Sequence, residues 1–537
     1  MHPRIKSLLS PSLGFAVIVA FSCWAAVFIY TSSVPLHGGG RTFCLFDDAM
    51  ISMRYADNLA HGNGPVWNSG KFVEGYTNPL MIAVMALFLA ITSKSLAVLL
   101  VQILGALFAL STALLSVRIY KRLAEPAHQI PCWLVCFFIL AIYTLSYWAI
   151  MGMETGFVAL FLTIGVYAAT GNSDTQTDLT LRRAMLLALS GAGLYLSRPD
   201  ALSFAVLIFA FIVLVDRKAR TLKLAFLAAS VIVAVVAAHL AFRLTYYGRM
   251  LPNTALLKLG HFPLSYRALG GIGYVLPFLR GVFPLVFLAL FSAIMKRNHA
   301  KWLILSLFAV SISYQIFVGG DPWPYWRIMS PTMPLLLILA ADGAFRLSVR
   351  IVERVPSRLA SLMLTVCLML WACHQYDKPF LQELLLLSSP YQIESNRRNV
   401  NTAYAIRNLT KETASVGVFW AGSIPFYSER YAVDFLGKSD PQIADRKPDL
   451  SGTVSAHGMS SLPGHNKYDL TASIVERQPT YIQNTRWGSD DVTAWASNHY
   501  ISVSHMGATM LLLKDSPDVI WERLENIANK RTESGKE

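Results

Sequence analysis

Two adjacent carboxylates, Asp47 and Asp48, stand at the start of a predicted helix that Gly62 ends. An aspartate at a helix start accepts backbone N–H groups and suits the positive end of the helix dipole, which accounts for one of the two. The second carboxylate is not needed for that purpose. With Arg54 about two turns further along, it could be a general base, a ligand of a hard cation or half of an ion pair.

Four later segments combine carboxylates, amides, aromatic rings and cations within a few residues. These segments are 152–156, 197–200, 246–258 and 319–327. Such side chains, facing one compartment, would bind a polar, hydroxyl-rich and anionic substrate. The alternative for Trp323, Tyr325 and Trp326 is interfacial anchoring, because Trp and Tyr gather at membrane surfaces. That alternative does not extend to the carboxylates of these segments.

The composition places most of this chain in an apolar solvent. Of its 537 residues, 54% are hydrophobic and 15% are charged, whereas soluble domains carry about 25% charged residues. An ordinary soluble protein, a disordered chain, a collagen and a coiled coil are therefore excluded. The formal charge of +14 sits mainly in short loops between apolar runs, which indicates membrane orientation rather than nucleic-acid binding.

Apolar runs that could cross a hydrocarbon layer of roughly 30 Å recur along the first two thirds of the chain. Several are shorter than the ~20 residues that a span usually needs. There are eleven of them, at 14–31, 96–117, 131–148, 155–170, 184–197, 201–215, 222–243, 271–294, 301–318, 331–347 and 357–373.

Basic residues in the loops orient these spans. With the N-terminus inside, the inner loops hold 18 Lys and Arg residues, and the longer outer connections hold nine. The N-terminus is therefore predicted inside and the C-terminus outside. The apolar segment 79–92 must then lie at the outer surface as a short helix after Asn78 and Pro79. The run at 14–31 lacks an obvious small-residue cleavage site and is predicted to remain as an anchor.

From residue 374 onward the chain has the composition of a soluble domain. This part holds 17 Lys and Arg against 19 Asp and Glu, and none of the six cysteines, so no disulfide framework holds it together. Short strand patterns are followed by a helical stretch from Asp515 to about Asn529. The strand patterns lie at 415–420, 431–435, 480–483, 501–505 and 509–514.

The sequence thus predicts a polytopic α-helical membrane protein with about 11 transmembrane helices over residues 1–373. Its first outer loop covers 32–95 and carries the Asp-Asp pair. Residues 374–537 are predicted to form a C-terminal extracytoplasmic α/β or α+β domain. No internal repeat is visible in the sequence, which argues against the repeat-built transporters.

A series of motifs runs through the chain from about residue 43 to 470. They are FDDAMISMRYADNLAHGNG, VEGYTNPL, GMET, RPD, YYGRMLPNTALLK and GGDPWPYWR, then GSIPFYS, VDFLGKSDP and PGHNKYD. In this order, and with the first six on one side by the charge rule, they resemble the GT-C superfamily of polyprenyl-phosphate-dependent membrane glycosyltransferases. The bacterial arabinofuranosyltransferase-like branch is the most similar part of that superfamily.

That resemblance implies transfer of a sugar from a polyprenyl-phosphate donor, with inversion, on the outer face. The acceptor would be an envelope polysaccharide, a glycolipid or an exported protein. Asp47 or Asp48 matches the acidic motif of the family. Asp47 is favoured as the base that takes the acceptor proton, and Asp48 would position substrate or bind a divalent cation as cofactor. No protonating acid is needed, because the leaving group is already a phosphate.

The resemblance also assigns binding residues. Cations for the donor phosphate are Arg198, Lys258 and Arg327. Candidates for contact with the substrates are Arg54, Trp67, Glu74, Tyr76, Asn78, Glu154, Asp200, Asn253, Asp321, His465 and Lys467. Trp67 would stack on the sugar, while His465 and Lys467 would reach back from the outer domain. Among the sugars that the family uses, arabinofuranose, aminoarabinose, mannose and galacturonic acid, the residues select none.

Two alternatives to a bacterial inner-membrane transferase follow from the sequence. The first is a non-enzymatic transporter or flippase of a lipid-linked envelope precursor. A transporter binds its substrate near the midplane of the bilayer, whereas the polar motifs of this chain lie in outer loops, which favours an enzyme. The second is a degenerate relative that serves assembly or flagellar regulation without catalysis, and the intact Asp47 and Asp48 argue against it.

Overall fold

A computed structural model describes residues 11–36, 39–171, 179–352, 358–450 and 464–525. Each of the eleven predicted apolar runs is helical in it, and the run at 131–148 is broken into two helices. The helices of this part are α1 (Pro11–Ser32), α2 (Asp47–Ala60), α3 (Pro79–Ile91), α4 (Lys94–Leu123), α5 (Cys132–Leu140), α6 (Tyr143–Ile150), α7 (Thr155–Ala169), α8 (Leu181–Ser197), α9 (Leu202–Val215), α10 (Ala219–Tyr247), α11 (Asn253–Leu259), α12 (Leu264–Met295), α13 (His299–Val318), α14 (Met333–Ile351) and α15 (Arg358–Asp377).

Length separates true span candidates from shorter helices. Within the described residues, seven helices are long and apolar enough to cross a membrane: α1, α4, α10, α12, α13, α14 and α15. The pair α5–α6, bent by 61° at its break, would make an eighth. The other three predicted runs form the shorter helices α7, α8 and α9, and the predicted count of about eleven stays a prediction. The 15-residue α7, for example, rises only about 22 Å, and it packs against α4 and α8.

Loops that the charge rule places on one side meet at one end of the bundle. At the predicted inner end, Asp342 on α14 binds Lys301 at 2.7 Å and Arg346 at 2.9 Å, and Lys301 is fully buried. Nearby, Lys296 pairs with Glu125 at 2.6 Å. Breaking such a buried pair leaves an uncompensated charge, so these contacts tie α12, α13 and α14 together.

The soluble part is built on a five-stranded mixed sheet. Helices α16 (Leu381–Leu384) and α17 (Ile393–Leu409) precede its first strand. Helices α18 (Ser423–Ser428), α19 (Pro441–Ala444) and α20 (Asp490–His499) connect successive strands along the chain. The strands are β3 (Ser415–Val418), β4 (Tyr431–Asp434), β5 (Tyr481–Ile482), β6 (Tyr500–His505) and β7 (Ala508–Leu513), after the small pair β1 (Val34–Pro35) and β2 (Arg41–Thr42). The sheet order is β4-β3-β5-β7-β6.

All five predicted strands are confirmed, and the predicted terminal helix begins too early. Strands β4, β3 and β5 run parallel, while β5, β7 and β6 are antiparallel. Turn residues follow β7, and Val519 makes an isolated bridge to Thr410. The helix starts only at 521, and residues from 526 lie outside the described part. The stretch from Asp515 to 520 therefore forms turns and a bridge to Thr410 in place of the predicted helix.

The two parts of the chain share a hydrophobic core. Phe46 and Met50 of the first outer loop belong to the same buried cluster as Val416 and Ile424 of the soluble part. Helix α15 also runs to Asp377, past the predicted boundary at 373. The soluble part is thus docked on the first outer loop through apolar packing, and the exact domain division remains a prediction.

Candidate active site

Helix α2 and the short helix α18 are joined at their N-terminal ends by Asp47. Its carboxylate accepts hydrogen bonds from the backbone N–H of Gly422 at 3.1 Å and of Ser423 at 2.9 Å, and from Ser423 Oγ at 3.0 Å. Asp47 is only 4% exposed. Both oxygens of Asp47 are therefore occupied in docking the soluble part.

Arg54, two turns along α2, holds the other end of the same contact. Its guanidinium donates to the carbonyl oxygens of Pro425, Arg430 and Trp67, the last two at 2.8 and 2.6 Å. The ring centroid of Trp67 lies 5.2 Å from Arg54 Cζ, and Trp67 Nε1–H donates to Ala421 O at 3.3 Å. These bonds occupy the polar groups of Arg54 and Trp67, so the structure argues against their predicted contact with substrate.

Glycine at position 422 allows this close approach. A Cβ built there would lie 2.0 Å from the backbone oxygen of Asp47 and 2.8 Å from Met50 Cβ. We expect Gly422→Ala to lower the free energy of unfolding by about 1–3 kcal/mol or more, because the backbone must move. Thermal unfolding of the detergent-solubilised protein would measure it. Gly273→Ala on α12, where no atom lies within 4 Å, is the matched control, and equal melting temperatures would contradict the prediction.

Asp48, in contrast to Asp47, faces a cavity of about 30 Å³. The cavity lies between the first outer loop, α11, the loop after α13 and the soluble part. Its walls are Asp48, Thr254, Leu257, Lys258, Pro322, Arg327, Lys438, Gly464 and His465. The structure thus brings together one carboxylate, three cations and an imidazole from five separate segments.

The carboxylate of Asp48 is held by three donors. Oδ1 accepts from Lys438 Nζ at 2.5 Å, and Oδ2 accepts from Trp323 Nε1 at 2.8 Å and from Arg327 Nη1 at 3.2 Å. Burial alone would raise the pKa of Asp48, but the charges of Lys438 and Arg327 outweigh it and hold the pKa well below the ordinary value. For Asp47, burial dominates and raises the pKa. The two neighbouring carboxylates therefore differ in both contacts and basicity.

The loop after α13 positions Arg327. Gly319 begins it with φ +92°, and Tyr325 and Trp326 also adopt left-handed φ values of 69° and 47°, which non-glycine residues take up only under constraint. Arg327 then binds Asp321 at 2.5 and 3.1 Å. Trp323 is 1% exposed and bonded to Asp48, so it is a site residue and the alternative of an interfacial anchor is wrong for it.

Lys258 is the cation of the cavity without a partner in the described residues. Helix α11 carries it, and Asn253 at the start of α11 donates to Gly437 O at 2.7 Å. No hydrogen bond or ion pair joins Lys258 to any described residue. Burial lowers its pKa, while the charge of Asp321 opposes that change. An unpaired, half-buried cation of this kind would gain most from a bound anion.

Arg198 lies in a second, adjacent cavity. It binds Glu154 Oε1 at 2.5 Å and Asp200 Oδ2 at 2.9 Å. Tyr314 of α13 also lines this cavity, and Arg327 contributes to the walls of both. The three predicted donor-phosphate cations are thus divided, with Lys258 and Arg327 in one cavity and Arg198 in the next.

Five other predicted substrate residues make protein contacts that frame the site. Glu74 pairs with Arg243 at 2.9 Å, and its burial raises its pKa to about 7 although the charge of Arg243 opposes that change. The remaining bonds are Tyr76 to Tyr247 at 3.1 Å, Asn78 to Ser52 at 3.1 Å, Asn253 to Gly437, and Lys467 to the carbonyl oxygens of Leu256 at 3.1 Å and Ala444 at 2.7 Å. None of these five lines either cavity, which argues against direct substrate contact.

Sequence reasoning missed Lys438 and Tyr314. Lys438 lies in the motif VDFLGKSDP, and its position among the charged residues of that motif could have marked it as a site residue. Tyr314 lies in an apolar helix, and nothing in the sequence around it indicates a site. Within the described residues, no three His, Cys, Asp or Glu side chains converge as metal ligands. The cations that surround Asp48 do not favour a metal there, and a divalent cation stays a prediction.

Comparisons with known proteins identify the architecture. ArnT from Cupriavidus metallidurans, crystallised with undecaprenyl phosphate, superposes with a TM-score of 0.55 over 93% of this chain and 98% of its own, at 13% identity. The apo oligosaccharyltransferase from Archaeoglobus fulgidus gives 0.50 over 96% and 76%, at 12% identity. This chain has the GT-C fold. The predicted fold class and the resemblance are confirmed at that level.

Sequence comparison adds two further similarities. A terminal β-(1→2)-arabinofuranosyltransferase from Corynebacterium glutamicum is 26% identical over 275 residues, which are 48% of this chain and 38% of that relative. The match thus spans less than two fifths of the relative's length. A family model described as a domain of unknown function, DUF8728, matches residues 390–521. That range lies within the soluble part, which supplies Lys438 and His465 to the cavity.

Proposed function

We propose that this protein is a membrane glycosyltransferase that moves a sugar from a polyprenyl-phosphate donor to an acceptor hydroxyl. The observation that carries the proposal is the cavity in which Asp48 meets Lys258, Arg327 and Lys438. Three cations against one carboxylate suit a lipid phosphate. A neighbour of the same fold, ArnT, was crystallised with undecaprenyl phosphate, and the arabinofuranosyltransferase relative suggests arabinofuranose as the first sugar to test.

The reaction that this geometry supports is an inverting displacement. The acceptor oxygen attacks the anomeric carbon, its proton passes to Asp48, and the bond from that carbon to the phosphate oxygen breaks with its electron pair on the phosphate. The donor is a phosphodiester with one negative charge, and the product polyprenyl phosphate approaches two, because its second pKa is about 6. Lys258, Arg327 and Lys438 would stabilise the charge that develops.

Asp48 rather than Asp47 is the proposed base, which reverses the preference derived from sequence. Asp47 has both oxygens bonded to Gly422 and Ser423, while Asp48 borders the cavity. A base must come within hydrogen-bond reach of the proton that it takes. A phosphate that draws Lys438 and Arg327 toward itself would free the oxygens of Asp48 for the acceptor.

The pH dependence of transfer distinguishes the two carboxylates. A base works only when it is deprotonated, so transfer is lost as pH falls through its pKa. Because the pKa of Asp48 is held below the ordinary aspartate value, kcat/KM should stay level from pH 8 to about pH 5 and fall only below about pH 4. Since burial raises the pKa of Asp47, an acid limb above pH 5 would favour Asp47 instead. Melting temperatures at each pH control for unfolding.

The second cavity would hold the sugar. Glu154, Asp200 and Tyr314 offer oxygen partners to hydroxyl groups, and Arg198 orients the two carboxylates. Arg327, shared by both cavities, would then lie at the junction of sugar and phosphate. The acceptor would be an envelope polysaccharide, a glycolipid or an exported protein.

We place the protein in the bacterial inner membrane, with the N-terminus cytoplasmic and the site on the outer face. The excess of basic residues in the predicted inner loops supports this orientation. Cysteine accessibility in whole cells tests it. A cysteine introduced at exposed Arg486, in a background with Cys23 and Cys367 removed because both are exposed, should react with an impermeant maleimide, and protection would place the soluble part inside.

The direct test of function is transfer from a panel of radiolabelled polyprenyl-phosphate sugars by purified protein in nanodiscs. Wild type should label an envelope acceptor extract from at least one donor. A folded wild type that moves lipid-linked precursor between leaflets, but transfers sugar to no acceptor, would support the flippase alternative and overturn the proposal.

A further inference from the structure

His465 is a buried side chain in the wall of the cavity, and its ring lacks a protein partner among the described residues. It is 3% exposed, and neither Nδ1 nor Nε2 has a hydrogen-bond partner in the described residues. Buried polar groups are nearly always hydrogen-bonded, and leaving one unpaired is costly. A buried imidazole with both nitrogens free in a cavity therefore points to a group that binds there.

The surroundings of His465 indicate the chemistry of that group. Lys438, Asp48, Lys258 and Asp321 are the charged groups that act on it, and burial with the nearby lysine charges lowers its pKa to about 3. It is therefore neutral, so one nitrogen carries a proton to donate. A neutral donor beside lysines suits a phosphate oxygen better than a sugar hydroxyl, because it adds a bond without adding a positive charge that must be buried.

The segment that carries His465 packs against α11. Gly464, with φ +96°, brings the chain within van der Waals distance of Lys258, since a Cβ there would lie 3.4 Å from Lys258 Cγ. Lys467 bonds to Leu256 O on α11 at 3.1 Å. The ring of Trp323 meets His465 edge-on at 5.9 Å. His465 and Lys258 are thus positioned to share one ligand.

We propose that His465 donates a hydrogen bond to the phosphate of the lipid-linked donor. Lys438 and His465 both belong to the soluble part, which matches a domain of unknown function. The soluble part would therefore form one wall of the donor site. This inference rests on the proposed function and specifies the phosphate ligands. It gives the soluble part a role in donor binding in addition to any role toward the acceptor.

Undecaprenyl phosphate is the probe, titrated onto the full chain in nanodiscs. His465→Phe keeps a ring against Trp323 and removes both nitrogens, and it should raise Kd about 10- to 100-fold, the value of a hydrogen bond to a charged group. His465→Gln keeps an N–H donor and should stay within about threefold of wild type. His499→Gln, on the exposed end of α20, is the control and should match wild type.

The outcomes separate this inference from the proposed function. If wild type does not bind undecaprenyl phosphate, the proposed function fails. If wild type binds and His465→Phe binds equally well, only the role of His465 fails. An unchanged Kd with a raised KM for the acceptor would assign His465 to the acceptor and overturn the proposal. Size-exclusion profiles and melting temperatures must match wild type. If His465→Phe does not fold, Lys438→Met tests the same wall. An unchanged Kd of Lys438→Met for undecaprenyl phosphate would overturn the role of the soluble part in donor binding.

Discussion

Asp48→Asn should lower kcat for sugar transfer by about 10²- to 10⁴-fold, the range expected when a general base is lost. Asparagine has nearly the same shape and can still accept from Trp323 and Arg327, but it cannot take the acceptor proton. Undecaprenyl phosphate should still bind, because Lys258, Arg327 and Lys438 remain. The measurement is single-turnover transfer of radiolabelled sugar with a saturating donor.

Asp47→Asn is the matched control for that variant. Asp47 accepts three hydrogen bonds from Gly422 and Ser423, and an amide carbonyl replaces only part of them. We expect a lower melting temperature and a much smaller loss in kcat, provided that transfer is measured where the protein is folded. If Asp47→Asn abolishes transfer in folded protein and Asp48→Asn does not, the base is Asp47 and the assignment is wrong.

Lys258→Met should lower kcat/KM by about 10²- to 10³-fold, similar to the loss of one preorganised electrostatic contact in a transition state. Methionine fills the space of the lysine stem without its charge. Since Lys258 has no ion-pair partner in the described residues, its removal leaves no described carboxylate uncompensated. The folded state should therefore be kept, and the deficit should lie in the stabilisation of the leaving phosphate.

Arg327→Met provides the contrast for this prediction. Arg327 pairs with both Asp321 and Asp48, so its loss leaves the buried Asp321 without its counter-ion and leaves Asp48 with Lys438 alone. Breaking a buried pair typically costs about 3–5 kcal/mol. We expect Arg327→Met to lose stability and transfer together, whereas Lys258→Met loses transfer alone. A Lys258→Met protein with wild-type kcat/KM would remove Lys258 from the site.

Much of the fold follows from periodicity and composition. The apolar runs became helices, and the five alternating segments after residue 400 became the strands of one sheet. Seven helices of the described residues, or eight with the bent pair, have the length of a span. The count of about eleven stays a prediction, because hydropathy does not record whether a short apolar helix such as α7 or α9 crosses the bilayer. The terminal helix failed because a tertiary bridge from Thr410 to Val519 overrides local propensity.

The site was predictable in its residue types and less so in its geometry. Asp48, Lys258, Arg327 and His465 were all candidates from their motifs, and they line one cavity. Arg54 lies in the same motif as Asp48, and Trp67 lies in the same outer loop, yet both hold α18 in place. A motif marks which residues are near a site, but it does not separate those that face the ligand from those that support them.

Hydropathy, charge asymmetry and residue chemistry are local properties, so they predict without a structure that this chain enters a membrane, that its polar motifs collect at one end, and that carboxylates and cations meet there. Which of two adjacent aspartates faces the cavity depends on the folded arrangement of the helices. Neighbouring residues on a helix point about 100° apart, so the docking of α18 onto Asp47 fixes the rotation of α2 and leaves Asp48 beside Lys438. A contact across 390 residues of chain has no signature in the spacing of the first outer loop.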